Sequence, residues 1–409
     1  MTLDPVHVDG IADLASQIDS TVEDDEHDAF AERVWNDFLA PLTVDGRTII
    51  EPVEEQVRHR VDIESIALTD PPFPTSHGLD AGTLNPTTYR NGAVVDVAHA
   101  VMASEPSDHE LHRSRSIVGA IHRHDERMAL TEEWDYFDAE YCRRLWVRAP
   151  PVRRFAEAVV HTLSLYRAES AHARAYLDDV EDILLLDGPI YPKELLRWED
   201  QHQELRERLI TDPLPREILN TYLDLTTSCQ SRGIPLVGFV KNPSSNRITR
   251  AIRDAGLPAP WFNDGALFRL VLDLTDTTER PQDQLAYTNW FHSQAGSDRT
   301  FGGDGGLLDL EIPDGASVTF MILFDPRDGL VYRAEAPAWV TTDPSMRERV
   351  TQLLLREVAA ERGPPRAIQK ADRLARISRG ERRSLRDVFA KRWDSDIDRT
   401  YDDRRWGTS

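Results

Sequence analysis

Ser76-His77-Gly78-Leu79-Asp80-Ala81-Gly82-Thr83 and Ile183-Leu184-Leu185-Leu186-Asp187-Gly188-Pro189 decide how this chain is read. Each leaves an apolar run at an acid followed by turn-forming residues, the pattern of a buried strand emerging from a core. A lone Asp-Gly is only a turn signal. Two strand-terminal carboxylates in one chain are what a divalent-cation site on a sheet edge requires. Hard cations take carboxylate oxygen and can clamp a phosphate between them.

Working outward, Gly92–Met102 reads as a second strand antiparallel to the first, and Ser116–His122 as a third. Val152–Glu181 is helical, with Phe155, Val159, Leu163 and Tyr166 on one face and Glu169 further along, 18 residues before Asp187. Trp198–Thr227 is helical again. Gly233–Val240 is a buried strand ending at Lys241, and another strand is expected at Phe268–Leu274. Asp325-Pro326-Arg327-Asp328-Gly329 between two apolar runs, Ser317–Phe324 and Leu330–Ala336, is a hairpin signal. Thr351–Glu361 and Ala367–Ile377 are helices separated by Gly363-Pro364-Pro365, and the second carries Lys370 and Asp372. Upstream, residues 7–41 show amphipathic helical spacing, with Glu23-Asp24-Asp25-Glu26 as a solvated face or break; Val53–Val61 also spaces as a helix. The expectation is a mixed α/β domain over residues 76–378, an N-terminal helical extension over 1–75 and a basic tail over 379–409.

The formal charge is -23, yet only four of the 48 basic residues are lysine: Lys193, Lys241, Lys370 and Lys391. Acid-rich, arginine-rich and lysine-poor surfaces suit molar salt, where the Debye length is ~3 Å and net charge costs little. A halophilic host is expected, and the acidic bulk then says little about partners. Two basic islands say more. Cys229–Arg253 has no acid and five bases, and Glu361–Ser409 carries 14 bases against nine acids, so the other 360 residues hold -28. These are candidate phosphate-contact surfaces. Two cysteines without ligand spacing fit a reducing compartment. With no signal peptide and no apolar run near 18 residues, a soluble cytoplasmic protein with no membrane partner is expected.

The order of these blocks resembles the NurA nuclease family. The likeness rests on Gly78–Thr83, on Glu169 followed by Leu185–Gly188, on the Val237–Lys241 strand end, on Tyr332-Arg333-Ala334-Glu335-Ala336-Pro337, and on Pro365–Asp372. It spans about Gly78 to Ser378. In the last block Asp372 stands where the family has histidine. Aspartate can ligate Mn²⁺ or Mg²⁺, but it cannot serve as a cationic acid. The resemblance implies an RNase H-like mixed central sheet flanked by helices. It also implies a metal-dependent DNA nuclease of haloarchaeal type, trimming 5′ ends and cutting single strands. Dimers docking on a hexameric HerA translocase in double-strand break resection are implied as well.

On this reading Asp80, Glu169, Asp187 and Asp372 hold Mn²⁺ or Mg²⁺, with two ions expected, and Lys241 steadies the scissile phosphate. Lys193, Lys241, Arg247, Arg250 and Lys370 are the expected nucleic-acid contacts. Two other readings remain open: a catalytically impaired DNA-binding or assembly partner of the translocase, and an actin-like ATPase or kinase using Asp80-Ala81-Gly82-Thr83 as its phosphate loop. His77, His99, His161, His172 and His292 lack metal-ligand spacing and read as structural. Gly302–Gly306 reads as a flexible loop, while Trp339 and Trp406 are candidate base-stacking residues.

Overall fold

The computed structural model describes residues 4–16, 24–124, 129–139, 141–273, 280–302 and 308–398. Fifteen strands join one sheet. The first nine are β1 (Leu42–Val44), β2 (Arg47–Pro52), β3 (Arg58–Asp62), β4 (Ser76–Thr83), β5 (Thr87–Thr88), β6 (Val94–Glu105), β7 (Arg115–His122), β8 (Asp135–Phe137) and β9 (Cys142–Arg148). The rest are β10 (Leu184–Asp187), β11 (Leu236–Val240), β12 (Gln284–Thr288), β13 (Phe291–Ser293), β14 (Val318–Asp325) and β15 (Leu330–Pro337).

The centre of the sheet runs β15-β11-β10-β4-β6-β7. β4, β6 and β7 form an antiparallel meander, while β10 lies parallel to both β4 and β11. This order and these directions make the RNase H-like core that the resemblance implies. Parallel neighbours need crossover helices, which cover both faces and make the strands apolar on both. Leu184 and Leu186 of β10 accordingly pack on the long helix Ala156–Ala175 and the helix Pro213–Arg232. Ile183 and Leu185 face the helices Pro344–Glu361 and Arg366–Ala375 on the other side. A third core joins the helix Asp24–Phe38 to β14 through Val34, Trp35 and Phe320.

Several expectations need correction. Val53–Val61 is not helical: Arg58–Asp62 is a strand hydrogen-bonded to β12. Phe268–Leu274 is not a strand: Asp264–Leu272 is a helix whose N-terminus is capped by the Asn263 side chain accepting from the Ala266 N–H, and Leu274 lies outside the described residues. The amphipathic 7–41 segment is two helices, Pro5–Ser16 and Asp24–Phe38, with 17–23 outside the described residues. Trp198–Thr227 is three helices, broken at His202 and Asp212. Asp80 does not end its strand, because β4 stays paired with β6 as far as Thr83. Trp339 packs into the cores, while Trp406 and Gly303–Gly306 lie outside the described residues. The tail helix Arg379–Arg392 is folded onto the domain, with Phe389 and Trp393 against Trp146 and Tyr89.

Candidate metal centre

The site begins where two parallel strands part. β4 pairs with β10 from His77↔Leu184 to Leu79↔Leu186, so Asp80 and Asp187 are the next residues in register. Parallel partners project to the same face, which puts the two carboxylates side by side. Asp372 reaches them from the helix Arg366–Ala375, which lies across β4. One carboxylate oxygen from each of Asp80, Asp187 and Asp372 lies within 4.8 Å of the other two. Among the described residues this is the only group of three or more acidic, histidine or cysteine ligands so arranged.

Two glycines make the approach possible. Gly78 and Gly82 lie two residues either side of Asp80, on its face of the strand. A methyl group on Gly78 would sit 2.7 Å from the Ile368 backbone nitrogen, and one on Gly82 would sit 2.9 Å from the Ala375 carbonyl carbon. Only a bare backbone lets the helix come down this far. His99 of β6 fixes the far end of that helix through Nε2 and the Ala375 carbonyl, 2.7 Å apart.

Lys241 follows β11 and donates from Nζ to Asp187 Oδ2 at 2.6 Å. Asp80 Oδ1 accepts the Ala81 N–H at 2.7 Å. Burial and the neighbouring Asp187 push the Asp80 carboxyl up to about 7, with Asp372 adding to the rise. Burial also raises Asp187, against the opposing bond from Lys241. For Lys241, burial disfavours the charge, but its bond to Asp187 and the nearby acids outweigh burial and raise its pKa. Crowded carboxylates in a dry setting resist ionising together unless a cation joins them. An all-oxygen set with no sulfur or imidazole suits Mn²⁺ or Mg²⁺, so the residues present fit the expected ion.

Glu169 is not part of the three-oxygen group. It sits on the long helix, across the sheet from Asp372, and its Oε2 accepts from the Tyr222 hydroxyl at 2.9 Å. Burial and the Asp80 charge push its carboxyl up to about 8, so it shares the field of the cluster. Of the remaining expected residues, Lys193, Arg247 and Arg250 line one cleft beside the cluster, and Lys370 does not. Lys193 is bound at 2.6 Å to Glu335 and at 2.8 Å to Asp298, and Lys370 is tied to Glu105 and Ser107. The Arg250 side chain is 67% exposed. The sequence reading gives Gly78 and Gly82 no part in admitting the helix, and it does not name Tyr222. The glycines carried a signal, since glycine inside a strand marks close backbone approach.

Residues 74–377 match the model of the NurA domain family. The chain belongs to the NurA domain family. The matched span opens just before β4 and closes just after the helix bearing Asp372, so it holds every residue of the cluster. The structure is similar to that of the NurA nuclease from Sulfolobus solfataricus, at 12% identity and TM-score 0.45, covering 82% of this chain and 86% of that one. It is also similar to a NurA structure with manganese (10% identity, TM-score 0.40, covering 80% and 95%). A third, NurA bound to dAMP and manganese, gives 12% identity and TM-score 0.42, covering 79% and 89%. No curated protein matches the chain. Among the described residues no helix is long and apolar enough to cross a membrane.

Proposed function

We propose that this NurA-domain protein is a metal-dependent deoxyribonuclease that trims 5′ ends and cuts single strands during double-strand break resection. The observation that carries this is the convergence of Asp80, Asp187 and Asp372, with Lys241 bound to Asp187. One or two Mn²⁺ or Mg²⁺ ions, when bound, would supply an activated water and neutralise charge on the phosphate. Asp80, Asp187 and Asp372 would hold the ion or ions. Lys241 is bonded to Asp187 Oδ2, from where its ammonium can turn to a phosphate oxygen as negative charge builds there. Tyr222 fixes the orientation of Glu169, which adds a carboxylate from the opposite side of the sheet. Arg247 and Arg250 hold backbone phosphates along the neighbouring cleft. A cytoplasmic, haloarchaeal-type homodimer working with a HerA-type hexameric ATPase completes the reading.

Two rivals fare less well. For an actin-like kinase, Gly82 and Thr83 would have to form an open phosphate loop. They are instead paired in a strand, and Gly82 lies under the helix carrying Asp372. For a catalytically impaired relative, the aspartate at 372 would have to break the site, yet its carboxylate supplies an oxygen to the cluster. The test is hydrolysis of end-labelled single-stranded DNA with Mn²⁺ in molar KCl, by wild type, Asp80→Asn and Asp187→Asn. Both variants should be inactive; cleavage surviving in both would show that other residues do the chemistry. ATP should leave the melting temperature unchanged.

A further inference from the structure

The twenty residues after Asp372 carry the opposite sign to the rest of the chain. Arg373–Arg392 holds eight bases and two acids, in a protein of formal charge -23. One of the two acids, Glu381, is engaged by its own helix: its carboxylate accepts the Ser378 N–H at 2.8 Å and completes a capping box. Four of the bases, Arg373, Arg376, Arg379 and Arg383, are exposed, and their guanidinium groups make no ion pair or hydrogen bond with another described residue. Elsewhere on this surface exposed arginines do find acids, as Arg113 finds Asp138 and Arg144 finds Asp135.

The row leads away from the acidic cluster. Arg373 follows Asp372 on the helix Arg366–Ala375, which lies across β4 and β6, and Arg376 ends that helix. Arg379 and Arg383 stand one turn apart on the tail helix, which continues towards β7 and β9 with Phe389 and Trp393 packed near Val95, Ile121 and Trp146. On the other side of the cluster, beyond β10, Pro189, Val240 and Asn242 line the cleft that holds Arg247 and Arg250. The cluster, on β4 and β10, therefore lies between two basic surfaces of different make. The cleft presents an aromatic face, Phe262, which is 84% exposed. The tail helix turns its rings inward: Phe389 and Trp393 stack on each other and meet Trp146 and Tyr89 edge-on. Its exposed Leu385 and Val388 stand about 140–200° round the helix from Arg383, off the row. Unpaired bases are held by stacking on exposed rings as well as by charge. Cations without rings suit a strand whose bases are already paired, the backbone of a duplex.

We propose that Arg373, Arg376, Arg379 and Arg383 seat the backbone of duplex DNA, so that the junction of double and single strand lies at the acidic cluster and the unpaired strand runs on into the cleft of Arg247, Arg250 and Phe262. This rests on the nuclease reading for its purpose, but its test does not require cleavage.

The experiment titrates full-length protein, in EDTA, into a fluorescent hairpin duplex bearing a single-stranded tail and into the tail alone. Anisotropy is followed over a range of KCl in which the protein stays folded, giving the slope of log K against log [KCl]. Wild type should bind the tailed duplex more tightly and with the steeper slope. Arg379→Gln with Arg383→Gln removes two phosphate contacts, so the slope for the tailed duplex should become shallower by about 1.8. Arg373→Gln with Arg376→Gln should do the same. The slope for the tail alone should move by less than about 0.7, one single-strand contact. Arg379→Lys with Arg383→Lys keeps both charges and should hold the wild-type slope, which separates charge from any damage to the docked helix. An unchanged slope in either glutamine pair would overturn the proposal and leave the basic helix to an acidic protein partner. An equal change for the tail alone would overturn it in favour of a single-strand track, and a slope lost in the lysine pair would show that charge is not the cause. If the row sets the slope but the protein cannot cleave DNA with Mn²⁺, the nuclease reading fails while the duplex surface stands. If it cleaves and the slopes do not respond, only the duplex surface is lost.

Discussion

Without divalent cations, Asp80→Asn should make this protein more stable at pH 8, and the gain should fade as the pH falls. Asp80 is pushed up to about 7 from an ordinary value of 3.8, first by burial and then by Asp187 and Asp372. An acid raised in the folded state holds an extra proton there between these two values. Its contribution to stability is therefore complete below the unfolded value and lost as pH rises through 7. Between pH 5 and pH 8 the wild type loses two units' worth, about 2.7 kcal/mol from this carboxyl alone. An asparagine has no such loss, and its carbonyl oxygen still accepts the Ala81 N–H. Because the leading cause is burial rather than distant charge, molar salt should leave most of the effect in place. Urea denaturation in EDTA and molar KCl at the two pH values measures it, since urea adds no ions. The stability gain of Asp80→Asn should be about 2–3 kcal/mol larger at pH 8 than at pH 5. Equal gains at the two pH values would refute the claim that Asp80 is held in a dry, crowded cluster. Adding Mn²⁺ should reverse the ranking, because only the wild type gains binding free energy in its folded state.

Three further perturbations probe other parts of the site. Gly82→Ala should cost about 1–3 kcal/mol by lifting the helix that carries Asp372, with a proportionally greater loss of cleavage; unimpaired cleavage in a urea-verified variant would show that the close approach is dispensable. Glu169→Gln keeps an oxygen for Tyr222 and removes a carboxyl pushed up to about 8, so it should leave the melting temperature at pH 8 unchanged or higher while lowering cleavage at least tenfold; a lower melting temperature with normal cleavage would make Glu169 structural. Deleting residues after Ser378 should destabilise the fold by about 3 kcal/mol or more, because it removes Phe389 and Trp393 from Trp146 and Tyr89. A chain ending after Asp398 keeps these contacts, so equal melting temperatures for the two deletions would contradict the docked tail helix.

The core was legible where local pattern and tertiary demand agree. β4, β6, β7, β10, β11 and the β14–β15 hairpin are short apolar runs bounded by turn residues, and each formed near the place expected. The errors fall where a tertiary partner overrode spacing. Val53, Val57 and Val61 repeat every four residues as a helix would, but β3 is made by its pairing with β12, far along the chain. Phe268-Arg269-Leu270-Val271-Leu272 reads as strand from a short, mostly apolar run, yet it belongs to a helix packed between Asp24–Phe38 and the sheet. A run this short does not let periodicity separate strand from helix. The Asn263 cap was the sequence signal that would have decided it.

The centre itself was half visible, and the reason is geometric. Acids announce themselves by type, so Asp80 and Asp187 could be paired before any coordinates. What brings in Asp372 is a residue type without chemistry. In Gly78-Leu79-Asp80-Ala81-Gly82 the alternate positions form one face, and that face is glycine, aspartate, glycine. A strand gives up side-chain packing at two such positions only where another backbone must lie on it. The helix that lies there reaches the cluster with residue 372, and β10 has stopped pairing with β4 one residue before Asp80, leaving that edge open. β4 therefore had no need to end at its acid. The carboxylate becomes accessible because one neighbouring strand turns away while the other continues to Thr83. Whether residue 372 is histidine or aspartate is secondary to this arrangement, since either side chain is delivered to the same place by the two glycines.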